Sequence, residues 1–386
     1  MTSRTLLKAA SITRTSTRLK AHEARPWCPV RAERRYNSSA TQCGTVFSGI
    51  QPTGIPHLGN YLGAFSNWVK LQNDASSQSQ LIFSIVGWHA LTLPQNPKEL
   101  LHSRHDMLAA LISVGLDPSK VIIFHQDQNP DHVELAWILS CITPIGKLRR
   151  MTTWKARLAA SRNANAESEV DESMLNTGLF TYPILQAADI LAYRANLVPV
   201  GEDQQQHLEL SRDIADTFNR TYHTDLFPLP QHIITPSKRI LSLKDPTSKM
   251  SKSAVDVQSR ILLTDEYPQI RSKIRAAVTD SIAGITYDPA GRPGTSNLLT
   301  ILAGCTDTNV SDVAKRYETK GHGQLKADVV EAVEELLKAP RTEFNKLRGE
   351  TKYLASVSES GLGKARSISQ RTLAEVRRLI GLSRMP

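Results

Sequence analysis

The chain has 386 residues, 40% apolar and 22% charged, with a formal net charge of +10, which is ordinary globular material with room for a large core and about two domains. No apolar run approaches the roughly 18 residues needed to span a bilayer, so no membrane association is expected. Cys28, Cys43, Cys141 and Cys305 lack CxxC spacing, which argues for reduced thiols and against a disulfide framework or a zinc or iron–sulfur centre.

The charge is uneven: residues 1–40 carry +7, residues 41–259 carry −2 and residues 260–386 carry +5. Residues 1–40 space Arg4, Lys8, Arg14, Arg18 and Lys20 through a Ser/Thr-rich stretch with Leu6, Leu7, Ile12 and Leu19 and hardly any acid. That pattern predicts a mitochondrial transit peptide, with a nucleic-acid-binding arm as the alternative. Arg34-Arg35-Tyr36 before Asn37-Ser38-Ser39 resembles a processing site, so cleavage is expected near residue 36 and the mature chain in the mitochondrial matrix.

From Thr45 onward strands and helices alternate. The apolar runs Val46 to Ile50, Leu81 to Val86 and Val121 to Phe124 predict strands buried on both faces. Asn96-Pro97-Lys98-Glu99 predicts a helix start, with an Asn cap, Pro in the first turn and Glu in capping-box register, and with Leu101, Leu108, Leu111 and Ile112 turned inward. Leu135, Ile138, Leu139 and Ile142 mark another helix, a basic stretch with Trp154 runs from Lys147 to Arg157, and residues 161–176 read as a polar loop. Leu197 to Val200 is a further strand, followed by a helix through Leu208 and Ile214. This order predicts an α/β fold, a doubly wound parallel-sheet (Rossmann-like) domain over 45–255, with ligands at the carboxyl ends of its strands. From about Ile270, helical spacing such as Val329, Val333, Leu336 and Leu337 predicts an α-helical C-terminal domain over 256–386. Its last 26 residues hold six Lys/Arg against Glu375 alone, a place for a phosphate backbone to lie.

Two loops carry the chemistry. After the first strand, Gly49 to Gly63 breaks through Gly and Pro and then takes up helical spacing at Leu58, Leu62, Phe65 and Val69. Free backbone N–H groups at such a strand–loop–helix junction make an anion site. The second loop, Lys249-Met250-Ser251-Lys252-Ser253, sets two ammonium groups three residues apart, able to close on a polyphosphate. Neither GxxxxGK[ST] nor GxGxxG is present in this pair.

The pair resembles the signature of class I aminoacyl-tRNA synthetases, with His57-Leu58-Gly59-Asn60 in the place of the HIGH motif and residues 249–253 as a complete KMSKS motif. The wording GIQPTG…HLGNYLGA, AADIL and VPVGEDQ, spread over roughly residues 45 to 380, is similar to tryptophanyl-tRNA synthetases of bacterial or mitochondrial type. The resemblance implies L-tryptophan, ATP and tRNA(Trp) as partners, a homodimer, magnesium carried with the ATP and no resident metal. It also implies a helical anticodon-binding domain.

It implies roles residue by residue. His57, Lys249 and Lys252 match catalytic positions. Gln51, Pro52, Thr53, Gly59, Asn60, Gly201, Glu202, Asp203, Ile240, Met250, Ser251 and Ser253, with the two lysines, match ATP-binding positions; Asp203 reads equally as a helix cap. Lys155 and Arg157 fall where the family carries basic residues near the triphosphate. Asp189 shares a helical face with Leu185, Ala188 and Ala192, so it points inward and requires a donor. The resemblance makes that donor the indole N–H, and an internal arginine or backbone group is the alternative. Tyr182, Phe47, His89, Val198, Val200 and Gln204 match the positions around the tryptophan. One departure stands out: where many relatives carry Asp-x-His, this chain has Gly87-Trp88-His89.

Overall fold

The computed structural model describes residues 44–75, 79–152, 154, 155, 158, 175–201, 204–234, 239–252 and 254–383. The expected transit peptide and nearly all of the polar loop expected over 161–176 lie outside them. All the described residues belong to one compact unit.

Strand β1 (Thr45–Ile50) leads through a loop into three successive helical segments: α1 (Leu58–Asn60), a π-helical turn (Tyr61–Phe65) and α2 (Ser66–Asp74). Then come β2 (Gln80–Ile85), α3 (Gly87–Ala90), α4 (Pro97–Ser113) and β3 (Ile122–His125). The second half of the sheet domain runs α5 (Asp131–Ser140), α6 (Ile145–Arg149), α7 (Thr177–Leu191), β4 (Leu197–Val200), α8 (Gln205–Thr221) and β5 (Gln231–Ile234). The five strands are parallel, in the order β3-β2-β1-β4-β5. The chain therefore reverses its winding between β1 and β4, which opens a crevice at their carboxyl ends.

Side chains alternate across the sheet and both faces are covered, which is why the strands read as unbroken apolar runs. Val46, Leu81, Phe83, Ile85 and Ile123 face one core, while Phe47, Ile82, Ile122 and Phe124 face the other. The expected strands thus form, with edges shifted by one residue. β5 escaped the sequence reading because Gln231-His232-Ile233-Ile234 offers only two apolar residues. Two details of α4 need correction. Asn96 caps the amides of Lys98 and Glu99, but no reciprocal bond from the Glu99 side chain completes a capping box. Leu101, expected inward, is 62% exposed, because the stripe that faces the core is carried by Met107, Leu108 and Leu111.

The remainder is helical: α9 (Tyr267–Arg275), α10 (Pro293–Cys305), α11 (Val310–Tyr317), α12 (His322–Leu347) and α13 (Thr351–Leu379). These helices join the same two cores. Ile270, Leu298, Val329 and Phe344 pack into the first, and Ala365, Leu373 and Val376 of α13 into the second. Gly361 brings α13 onto the backbone of β3, one of the two edge strands; a methyl group there would stand 1.8 Å from the Ile123 carbonyl oxygen. Among the described residues no helix is long and apolar enough to cross a membrane.

Candidate active site

The two loops singled out in the sequence fold onto each other. His57 is the N-cap of α1: its Nδ1 accepts the Asn60 amide at 3.2 Å, and the Asn60 side chain accepts the His57 amide at 3.1 Å. The chain just beyond the lysine loop pairs with this start through Leu58 N–H to the Ile261 carbonyl (2.8 Å) and Leu263 N–H to the Pro56 carbonyl (2.9 Å). On the other flank Met250 donates its amide to the Ile240 carbonyl at 3.0 Å, and Leu241 bridges Lys249. Met250 is buried, and a methyl group on Gly59 would stand 3.6 Å from its Cβ. Lys252 Nζ reaches across to the Gly54 carbonyl at 2.9 Å. Gly54 has φ +96°, a left-handed conformation that costs a side-chain-bearing residue about 1–2 kcal/mol.

Electrostatics follow from this packing. Burial, helped by Lys252, Lys249 and Arg260, lowers the His57 pKa to about 3, so the ring is neutral near pH 7. Because Nδ1 accepts from Asn60, the remaining proton sits on Nε2, leaving that atom as a donor. Burial likewise lowers Lys252 to about 8, well below its ordinary 10.5, while Lys249 stays exposed. A neutral donor and two ammonium groups line one mouth.

At the other side of the crevice lies Asp189 on α7, only 2% exposed. Its Oδ2 accepts from His89 Nε2 at 2.8 Å, its Oδ1 from His132 Nδ1 at 2.7 Å, and both oxygens accept from Gln126 Nε2 at 2.7 and 2.8 Å. Burial alone would raise its pKa; bonds from His132 and His89 outweigh that and lower it to about 2, so a carboxylate is held in the core. His132 Nε2 meets the Tyr193 hydroxyl at 2.7 Å, Asn129 donates to Tyr193 (3.2 Å) and to Ser369 (3.0 Å), and Ser369 donates to Asp131 at 2.6 Å. The chain of hydrogen bonds thus runs from Asp189 to α13 and ends on a carboxylate at each side, with the Asn129 amide donating toward both.

The expected residues are placed as follows. His89 and Asp189 are hydrogen-bonded, the Tyr182 ring lies edge-on to His89 at 6.3 Å, and Phe47 stacks on Tyr193 at 5.5 Å, with Val198 in the same core. Gln51 on the β1 loop reaches the His89 carbonyl through a long 3.5 Å bond and so links the two sides. Pro52 is buried, Thr53 is exposed, and Gly201, Gln204 and Ser251 are partly buried. Ile240 is buried beneath Met250. Glu202, Asp203, Ser253 and Arg157 lie outside the described residues, as does the side chain of Val200. Among the described residues the groups that donate to Asp189 are the side chains of His89, His132 and Gln126. The sequence reading missed Gln126 and His132. Gln126 directly follows β3, and the carboxyl-end rule applied to that strand would have pointed to it. His132 carries no comparable signal.

A parallel sheet with this winding, a histidine at a helix start and a lysine loop clasped over it define a nucleotide-binding α/β site. The family model described as tRNA synthetases class I (W and Y) matches residues 40–338. The mitochondrial tryptophan–tRNA ligase of Saccharomyces cerevisiae is 43% identical over 91% of this chain and 94% of that protein. The crystal structure of tryptophanyl-tRNA synthetase from Mycoplasma pneumoniae superposes with a TM-score of 0.77 at 32% identity, over 89% of this chain and 99% of that one. The Campylobacter jejuni enzyme, solved with ADP and tryptophan, gives 0.70 at 32% identity over 88% and 100%. The chain therefore belongs to the class I tRNA synthetases of the W and Y type, in their tryptophan branch.

Proposed function

We propose that this chain activates L-tryptophan with ATP and transfers it to mitochondrial tRNA(Trp). The observation that carries the reading is the clasp of the lysine loop on the β1 loop, with Lys252 bonded to Gly54, beside a crevice whose far wall holds the buried Asp189 carboxylate. Proteins similar over nine-tenths of the chain are named for this reaction, and one is solved with ADP and tryptophan.

In the first step a tryptophan carboxylate oxygen attacks the α-phosphorus of ATP. The bond from that phosphorus to the bridging oxygen breaks, and pyrophosphate leaves with the electron pair. Such chemistry asks the protein for positioning and charge neutralisation. The His57 Nε2–H donates to the α-phosphate as charge builds, while Lys249 and Lys252 neutralise the leaving pyrophosphate. Gln51, Pro52, Thr53, Gly59, Asn60, Ile240, Met250, Ser251 and Ser253, with Gly201, Glu202 and Asp203, surround the nucleotide. Magnesium arrives with the ATP. In the second step a terminal ribose hydroxyl of the tRNA attacks the acyl carbonyl, and AMP leaves.

The amino acid is read by Asp189, with Tyr182, Phe47, His89, Val198, Val200 and Gln204 around the indole. Since the carboxylate already accepts from three side chains, the indole N–H bonds it by displacing one of them, and Gln126, which spans both oxygens, can yield one bond and keep the other. Residues 256–386 form the part that meets the tRNA, and residues 1–40 direct the chain to the matrix. A homodimer fits the outer face of α5 and α6, where Trp137, Val133 and Ile145 are 73%, 46% and 62% exposed; sedimentation of wild-type and Trp137→Glu proteins tests it, with two copies expected for the first and one for the second.

Exchange of labelled pyrophosphate into ATP tests the activity. Tryptophan alone among amino acids should support it; equal exchange with tyrosine, or none with either, overturns the reading.

A further inference from the structure

Gly87 opens α3, and the space its side chain would fill is already taken. A methyl carbon built on it would stand 2.2 Å from Asp127 Oδ1 and 2.8 Å from Asp127 Cγ. Asp127 comes from the short turn after β3, a different strand, and its Oδ2 pairs with Arg104 of α4. Its Oδ1 is buried and takes no hydrogen bond among the described residues, a costly state for a carboxylate oxygen. A carboxylate entering from the neighbouring strand end thus occupies the volume that a side chain at position 87 would fill.

The two segments that meet here hold two of the three donors to Asp189. Gln126, next to Asp127, accepts the Trp88 amide at 3.1 Å through Oε1 and gives its amide protons to Asp189. His89, two residues past Gly87, is the other donor held here. Contact between Gly87 and Asp127 therefore sets the spacing between the His89 and Gln126 side chains, with Arg104 anchoring the carboxylate. We propose that Asp127 is a positioning residue for the tryptophan pocket, and that Gly87 and Asp127 form an exchanged pair: a carboxylate on one strand end requires a glycine on the other.

This rests on the reading of the Asp189 side as the tryptophan site, and the wild-type exchange assay tests that reading separately. The test of the pair uses three variants of the processed protein: Asp127→Ser, Gly87→Asp and the double variant. Each single change should raise the tryptophan KM about tenfold, the first by freeing Arg104 and the turn, the second by collision and like charge. The KM for ATP should stay within about threefold, a split that general loss of stability would not produce. The double variant, whose new carboxylate enters the vacated space and can pair with Arg104, should return the tryptophan KM to within about threefold of wild type. A double variant no better than the product of the singles overturns the proposal, as does wild-type tryptophan KM in Asp127→Ser. Should Gly87→Asp fail to fold, recovery of folding and KM in the double variant supports the pair, and continued failure refutes it.

Discussion

The two walls of the crevice are built by opposite strategies. The wall proposed to hold the nucleotide is made of two short stretches of chain, 51–63 and 240–263, joined through main-chain hydrogen bonds at Leu58 and Leu263. The wall proposed to read the amino acid is made of single side chains from β1, α3, the β3 turn, α5 and α7, held together by contacts and bonds between side chains. Phosphate is a large, strongly charged target that backbone dipoles and ammonium groups can meet from a contiguous motif. An indole offers one N–H and an apolar body, so reading it demands a buried acceptor whose desolvation is offset from several directions.

Breaking each wall separately tests that contrast. The largest effect is expected at Asp189. Asp189→Ala leaves His89, His132 and Gln126 without their acceptor and should lower kcat/KM for tryptophan by roughly 10³-fold or more, with the ATP KM little changed, in steady-state exchange kinetics. Lys252→Ala should lower the exchange rate by on the order of 10²–10³-fold while tryptophan binding, followed by calorimetry, stays within a few-fold.

A pH series sharpens the nucleotide half. The Lys252 ammonium dissociates at about 8 in the folded chain against 10.5 ordinarily, and the charged form is the one that neutralises pyrophosphate. Exchange at limiting ATP should therefore fall as pH rises through about 8, and Lys252→Arg should move that fall to higher pH. Stability runs the other way. Between pH 8 and 10.5 the unfolded chain binds more protons at this residue than the folded one, so its contribution rises with pH across the window.

The smallest effect is the most diagnostic for the amino-acid wall. Ser369 lies on α13, yet it closes the proton chain through Asn129, Tyr193 and His132 to Asp189. Ser369→Ala removes the bonds to Asn129 and Asp131 and should raise the tryptophan KM by roughly fivefold, about 1 kcal/mol, and Ser369→Thr should recover part of it. An unchanged KM in Ser369→Ala would mean that the wall ends at His132.

The same contrast decides what a reader of the sequence can see. The strands β1 to β4, the His57 helix start and the lysine loop are legible because their physics is local: apolar runs, a Gly/Pro break and a basic loop occupy consecutive positions. Asp189 is half legible. Its inward direction follows from helical spacing within α7, but its partners come from positions 89, 126 and 132, whose meeting depends on tertiary packing. Leu101 shows the reverse failure, since helical spacing marks a stripe without saying how wide a face the neighbours will cover. The departure at Gly87 reads as a lost carboxylate in one dimension, and only the fold brings Asp127 into that volume.

The missing side chain at Gly361 has a reach beyond its own helix. Because α13 rests there on the main chain of β3, one border of the sheet is shielded by a segment some 240 residues further along the chain. A fragment ending near residue 350 would keep every group assigned to ATP and still present a bare strand to its neighbours, so it should clump rather than work. The tail proposed to meet the tRNA would then also keep the catalytic half from sticking to itself.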